Sequence, residues 1–291
     1  MRKRSLAGCF VIALALVAGG CSGRLVHREG LDATAKVAVV SVVIQAPGAA
    51  REESGRKVLQ SAADHAAAQV RSGLAGVRPW QVVDASNIDK GKAALSLGRP
   101  SEKELPALFP QEEERKRVQD KASAELALWQ KQFIGAPGLP VIPRQALVAG
   151  SGQEAVDPAV RAALLDQAGT LCKTLKTDAV AFAQIGYLVS HPRENAFIVT
   201  DDRTDGMLAL SATVVMVDKT GTVIVDMGAR SVNAASPSRD MLPLYRGTGK
   251  EAVAEANIDL ADPKKKVARA FSQLVDESVA ELMAALAREL K

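Results

Sequence analysis

Short apolar runs that are rich in β-branched residues predict the strands of a sheet. The run K-V-A-V-V-S-V-V-I, from Lys36 to Ile44, is too short for a typical helix and almost free of polar residues, as in a strand buried on both faces. Four later runs are also interpreted as strands, so we expect a mixed β-sheet of about five strands. The predicted strands are Lys36–Ile44, Trp80–Asp84, Asp178–Val189, Met207–Val217 and Thr222–Val232.

Longer segments with apolar residues three or four positions apart predict helices between and after these strands. The third of these helices has its own start signal, because Asp157 can accept a hydrogen bond as N-cap and Pro158 suits the first helical position. The predicted helices are Ser54–Leu74, the segment after Pro110, the segment after Pro158, and the segment from Asp262 to the carboxyl terminus.

The order of these elements predicts an α/β (α+β) fold. Strand, helix and strand between Lys36 and Asp84 indicate a βαβ unit. The sequence D-K-T-G, Asp218 to Gly221, suits a type I turn with a bulge and therefore a hairpin. Residues 36–291 are thus expected to form a single domain with helices packed on the sheet.

A segment at about 88–152 interrupts this order and is interpreted as a helical insertion folded over the main domain. Its first part is polar, and its last part, G-A-P-G-L-P-V-I-P from Gly135 to Pro143, is a proline-rich return. Between them lies one long helix with an apolar face. The residues of that face are Val118, Ala122, Leu126, Trp129 and Phe133.

The amino terminus has the pattern of an export signal followed by a lipidation site. Met1 to Arg4 is positively charged, and the apolar run Leu6 to Val17 is shorter than the roughly 20 residues of a spanning helix. The next residues, L-V-A-G-G-C-S from Leu16 to Ser22, resemble the lipobox of bacterial lipoproteins. That resemblance implies a signal peptide of residues 1–20, a lipid anchor on Cys21 and a tether of residues 21–35.

The match to the lipobox differs from the usual pattern at one position, and a second match occurs earlier in the chain. Ala18 stands where leucine is commoner, and the earlier match L-A-G-C, Leu6 to Cys9, leaves almost no apolar region before it. The alternative is an ordinary secretory signal with an incidental cysteine. In the enterobacterial pattern, Ser22 after the lipidated cysteine implies the outer membrane, with the protein facing the periplasm.

The charge balance and the cysteine content of the mature chain limit the partners and the covalent links that can be expected. Without Arg2, Lys3 and Arg4 the 37 basic side chains become 34 against 33 acidic ones, so the mature chain is nearly neutral. This balance argues against bulk nucleic-acid binding. With Cys9 removed and Cys21 acylated, Cys172 is left alone, and no disulfide is expected within the mature chain.

The motifs with possible chemistry do not form a catalytic, cofactor or metal site. His27, His65 and His191 have no Cys or Glu at metal-ligand spacing and are interpreted as surface residues, and G-x-S-x-G is absent. D-D-R-T-D-G, Asp201 to Gly206, lacks ligands of a calcium loop and is interpreted as a polar turn between strands. Neither G-S-G-Q-E-A, from Gly150, nor G-T-G-K, from Gly247, has the context of a nucleotide-binding loop.

Two features are candidate contacts for a partner. Three lysines crowd the start of the last helix, where the helix dipole disfavours cations; they form either a solvated helix end or a patch for an acidic partner or lipid headgroups. Apolar residues also occur in a segment interpreted as a loop, where they either enter the core or form a contact surface. The residues are Lys264, Lys265 and Lys266 in the first group, and Met241, Leu242, Leu244 and Tyr245 in the second.

The order of strands and helices behind a lipidated cysteine resembles that of several envelope proteins. These are the penicillin-binding-protein activator lipoproteins, the curli secretion lipoprotein and the amino-terminal domain of the TolB translocation protein. The resemblance covers Lys36 to Asp84 and Pro158 to Lys291, and it rests on element order and on strands such as V-A-V-V-S-V and D-A-V-A-F-A-Q-I. No functional residue is carried over, and the insertion at 88–152 departs from the pattern.

These observations lead to three hypotheses for the function. The first is a non-enzymatic lipoprotein in the cell envelope that acts as an adaptor or activator through contact with another protein. The second is a structural subunit of an oligomeric secretion or export assembly, which implies a homo-oligomer. The third is a hydrolase or ligand-binding protein whose site the sequence does not reveal. No cofactor is expected.

Overall fold

The computed structural model describes residues 25–45, 53–85, 109–149, 156–190, 203–230, 242–248 and 266–290. The strands are β1 (Leu25–Val26), β2 (Lys36–Gln45), β3 (Gln81–Asp84), β4 (Phe133–Gly135), β5 (Ala179–Ser190), β6 (Arg203–Asp218), β7 (Val223–Arg230) and β8 (Leu242–Thr248). The helices are α1 (Arg28–Asp32), α2 (Glu53–Val77), α3 (Glu112–Gln132), α4 (Arg144–Leu147), α5 (Pro158–Leu175) and α6 (Lys266–Glu289).

The strands form one mixed eight-stranded sheet with the order β1-β7-β6-β5-β2-β3. β4 pairs with β2, and β8 pairs with β6. β2 is parallel to both β3 and β5, whereas β6 is antiparallel to both β5 and β7. The α/β fold class that the sequence predicts is therefore confirmed.

Helices cover both faces of this sheet. β3 and β5 lie on opposite sides of β2, so right-handed connections put α2 and α5 on opposite faces. α6 packs on α2, β6 and β7, while α5 packs on β5 and β6 beside α3 and α4. This cover on both faces explains why the central residues of β2, from Val37 to Ile44, are buried without alternation.

All five predicted strands are present, and the described residues contain three more. β1 and β4 have two and three residues, too few for a recognisable period, and β8 lies in the segment interpreted as a loop. The βαβ unit is present as β2, α2 and β3. The predicted hairpin is also confirmed: the Gly221 N–H donates to the Asp218 carbonyl over 3.0 Å, and Gly221 has φ +82°.

The predicted tether is shorter than the sequence suggests. Within residues 21–35, the described part from Leu25 onward belongs to the folded body: β1 pairs with β7, and α1 carries Leu31, which is fully buried. The expectation of a free polar linker up to Ala35 was wrong because a single buried leucine among charged residues has no detectable period.

The insertion is part of the core in its described range, 109–149. The predicted helix is α3, and all five predicted apolar residues are buried, but Phe133 lies in β4 and not in the helix. After it, β4 pairs antiparallel with the end of β2, and Ile142 of the proline-rich return is completely buried. The return therefore continues the sheet and covers it, where the sequence suggested only a connection over the surface.

Candidate functional site

A set of buried and half-buried polar side chains lies on the face of the sheet that carries α4. Ser41, Gln184 and Asp226 come from β2, β5 and β7, and the strand registers place all three on the same face. We call these three residues the polar row. Segment 140–147, which contains α4, crosses the polar row, and we call it the strap.

The first two residues of the polar row bind the backbone of the strap. The Ser41 hydroxyl donates to the Pro140 carbonyl over 2.8 Å and accepts from the Ile142 N–H over 3.2 Å. The Gln184 side-chain oxygen accepts from the Arg144 N–H over 2.8 Å. These two side chains therefore satisfy backbone N–H and C=O groups of the strap, as a paired strand would do for an extended segment.

The third residue forms a two-pronged ion pair with the strap. Arg144 Nε and Nη2 donate to Asp226 Oδ1 and Oδ2, both over 2.6 Å, with the two side chains 15% and 4% exposed. Both carboxylate oxygens are engaged in this geometry, which is the strong, orientation-specific form of an arginine–carboxylate contact. The arrangement holds the strap on the sheet and leaves Asp226 without a free oxygen for a substrate.

A second polar contact joins the insertion to α5. The Asp157 carboxylate accepts from the Ala159 N–H over 2.9 Å, which confirms the predicted N-cap, and it also accepts from the ammonium of Lys121 in α3. The hydrogen bond from Lys121 and the backbone bonds lower the pKa of Asp157, against a smaller opposing effect of burial. The carboxylate thus fixes both the start of α5 and its contact with α3.

Cys172 lies on the buried side of α5. Burial raises the pKa of its thiol to about 11, and the S–H donates to the Val217 carbonyl over 3.7 Å. A nucleophilic cysteine needs an accessible thiolate near neutral pH. Cys172 is therefore a packing residue in the folded protein.

Two of the three histidines have defined contacts. His27 caps α1, its Nδ1 accepting from the Gly30 N–H over 3.1 Å. His65 lies half exposed on α2, and its Nε2 is 2.8 Å from Asp276 Oδ1 on α6, which also accepts from Gln69 over 2.9 Å. Both lie at the surface, as predicted. His191 is outside the described residues.

The predicted partner contacts are described only in part. Cys21, Met241, Lys264 and Lys265 lie outside the described residues, and Lys266 is the first residue of α6. Leu242, Leu244 and Tyr245 lie in β8, paired with the start of β6, so the interpretation of this segment as a loop was wrong. The pairing arises because β6 extends beyond its partner β7, and Arg203 to Leu208 in this extension pair with β8.

The prediction of a polar turn from Asp201 to Gly206 was wrong for the four of these residues that the structure describes. Arg203 to Gly206 are the first residues of β6 and pair with β8. Gly247 and Thr248 end β8, whereas the segment from Gly150 to Ala155 lies outside the described residues. Within the described ranges, no three His, Cys, Asp or Glu side chains come close enough together to hold a metal ion.

The polar row and the strap are not recognisable in the sequence alone. Ser41 and Asp226 were visible as single polar residues inside apolar strands, which is the usual sign of a buried hydrogen bond. Their partners were not visible, because Arg144 is 82 residues from Asp226 along the chain. Only the fold brings them together.

Comparison of the sequence with protein-family models and with curated proteins finds no match. Among the helices within the described ranges, none combines the length and the apolar character needed to cross a membrane.

Proposed function

We propose that this protein is a lipid-anchored, non-enzymatic adaptor or activator of a cell-wall or secretion complex in the envelope. The observation that carries the proposal is the sequence L-V-A-G-G-C-S before a body that is folded from Leu25 onward. An acyl-modified Cys21 would keep that body at a membrane, since each buried methylene of the lipid contributes about 0.8 kcal/mol. The resemblance in element order to envelope lipoproteins supports the same function.

The use of the buried polar groups also supports a binding role over a catalytic one. Ser41, Gln184 and Asp226 are types of residue that serve in active sites, but here each is engaged by the strap. Catalysis requires a group that can reach a substrate. We therefore place the function at the surface of the molecule.

The anchor is tested by Cys21→Ala. We expect the variant to move from the membrane fraction to the soluble fraction with an unchanged melting temperature, because Cys21 precedes β1, the first element of the body, in the sequence. Cys172→Ala is the matched control: it removes a cysteine from the core and should leave the protein in the membrane fraction. A Cys21→Ala protein that stays with the membranes would contradict the lipid anchor.

The adaptor role is tested by affinity purification from detergent-solubilised membranes. We expect an envelope protein to co-purify in stoichiometric amount. Replacing Lys264, Lys265 and Lys266 together by glutamate should reduce its recovery if the lysines contact an acidic surface. Recovery of the tagged protein alone, in several detergents, would count against an adaptor.

A subunit of an oligomeric export assembly is the second candidate, favoured by one feature of the sheet. β2 stops pairing with β5 at Ile185, but β5 continues to Ser190 alongside β6, and β6 continues to Arg203 alongside β8. We call Gly186–Ser190, Arg203–Ala209 and Leu242–Thr248 the arm. Within the described residues, both outer edges of the arm lack a strand partner, and such edges pair readily with another chain.

Sizing of the acyl-free protein distinguishes the two candidates. An adaptor should remain a monomer over a wide range of concentration, whereas a subunit that joins through the arm should assemble. A proline in place of Leu188 is expected to reduce assembly, because proline lacks the N–H that strand pairing needs. Persistence of a monomer at high concentration would exclude the second candidate.

A further inference from the structure

The amino-terminal segment is fixed to one edge of the sheet. Leu25 and Val26 pair with Asp226 and Val225 of β7, and the His27 N–H donates to the Ile224 carbonyl over 2.8 Å. Directly after them, α1 buries Leu31 in the core. The position of Leu25 relative to the body is therefore set by backbone pairing on one side and by core packing on the other.

This attachment limits the distance between the body and the anchor of the proposed function. Four residue steps join Cys21 to Leu25, and an extended chain spans at most about 3.6 Å per residue, so the two Cα atoms lie within about 14 Å. Across the sheet, β3 is five strand spacings of about 4.8 Å, or about 24 Å, from β1. The β1 edge is thus the part of the sheet that a lipid on Cys21 holds nearest to the bilayer.

The chemistry of this edge fits a lipid surface. Leu25 is 48% exposed, and Leu128, on α3, is 39% exposed. Arg28, three residues further on, is also exposed. An apolar side chain with a nearby cation is suited to the boundary between acyl chains and phosphate headgroups.

We infer that the β1 edge is a membrane-contact surface, with Leu25 inserted at the headgroup–acyl boundary and Arg28 facing the lipid phosphates. The inference rests on the proposed lipid anchor and adds to it a defined orientation. The opposite edge, formed by β3 and β4, then faces away from the bilayer. Because only four residue steps join Leu25 to the lipid on Cys21, the anchor can hold Leu25 at the bilayer surface, and a large apolar patch on the protein is not needed.

The test uses a fluorophore attached to a single introduced cysteine in the full-length lipidated protein. Leu25→Cys and Leu128→Cys form a matched pair, because each replaces an exposed leucine, and α3 leads into β4 on the far side of the sheet. Native Cys172 stays unlabelled near neutral pH, since it is buried and its thiol pKa is raised to about 11. Cys21 is consumed by the lipid.

Both labelled proteins are reconstituted in vesicles of phosphatidylethanolamine and phosphatidylglycerol, with or without brominated acyl chains. We expect brominated lipid to quench the fluorophore at residue 25 several-fold more than the fluorophore at residue 128. Equal quenching, or greater quenching at residue 128, with both proteins bound to vesicles would overturn the orientation and leave the anchor intact. A protein that does not float with the vesicles would overturn the anchor, and the inference with it.

Discussion

At the scale of single residues, the contact with the largest expected effect is the ion pair between Arg144 and Asp226. Transfer of both charges out of water opposes their attraction, so the net contribution of such a pair is often small. Removal of one partner is different, because the other charge then stays buried without compensation. The Arg144–Asp226 pair has two hydrogen bonds and low exposure, so removal of either residue would leave the other charge buried and unpaired.

We expect Asp226→Ala to lower the free energy of unfolding by about 3–5 kcal/mol, since it leaves the Arg144 guanidinium unpaired. The double variant Arg144→Met with Asp226→Leu should recover most of that loss, because it removes both charges together. Urea unfolding followed by circular dichroism measures both effects. As a control, Asp32→Ala breaks the exposed Arg78–Asp32 pair and should cost less than about 1 kcal/mol. Equal losses for Asp226→Ala and Asp32→Ala would show that the strap is not held by charge.

Asp157 gives a prediction that depends on pH. Asp157→Ala should cost about 1 kcal/mol near neutral pH through loss of the N-cap. Because the folded-state pKa of Asp157 is lowered, its charge stabilises the protein above the ordinary aspartate pKa of about 3.9, and this contribution is lost as the pH falls through the folded pKa. Stability measured across that range in the wild type and Asp157→Asn, which keeps a capping oxygen, should therefore converge in acid. A constant difference between them would contradict the role of the charge.

At the scale of elements, α5 packs on the β6–β7 turn through two glycines. A Cβ on Gly169 would lie 2.9 Å from the Gly221 backbone nitrogen and 3.1 Å from the Lys219 carbonyl oxygen. These atoms belong to a tight turn that the Asp218 side chain fixes by accepting from the Thr220 and Thr222 N–H groups. The helix approaches the turn this closely only because no side chain stands between them.

Gly169→Ala is therefore expected to destabilise the protein by about 1–3 kcal/mol, since the helix or the turn backbone must move. Gly76→Ala is the matched helical control: a Cβ there meets nothing within 4 Å. It should be neutral or stabilising by up to about 1 kcal/mol, because alanine restricts the unfolded chain. Thermal unfolding of both variants gives the comparison. A Gly169→Ala protein as stable as Gly76→Ala would show that α5 sits further from the turn.

At the scale of the whole molecule, the amino-terminal segment belongs to the body. Leu31→Ala removes a fully buried side chain and should lower the free energy of unfolding of the acyl-free protein by about 2–5 kcal/mol. Leu25→Ala, in the same segment, should change it by less than about 0.5 kcal/mol, because Leu25 is half exposed. If both changes prove neutral in denaturant titrations, residues 25–35 act as a free tether after all.

Elements that depend on local periodicity could be predicted from the sequence without the fold. A continuous apolar run specifies β2, a stripe of apolar residues four apart specifies α2 and α3, and the side chains of Asp157 and Asp218 specify a helix start and a turn. Each of these signals lies within a few residues of the structure it predicts, so no tertiary information was needed.

The short segments that complete the sheet, and the polar groups that contact each other, depend on the three-dimensional fold. β1, β4 and β8 become strands because a neighbouring strand presents free backbone groups at that place, not because of their own sequence. The hydrogen bond from Ser41 to Pro140 connects residues 99 positions apart, and the pairing of Arg144 with Asp226 connects residues 82 positions apart. Contacts over such separations depend on how the chain is folded back on itself, and that property is not local to any segment.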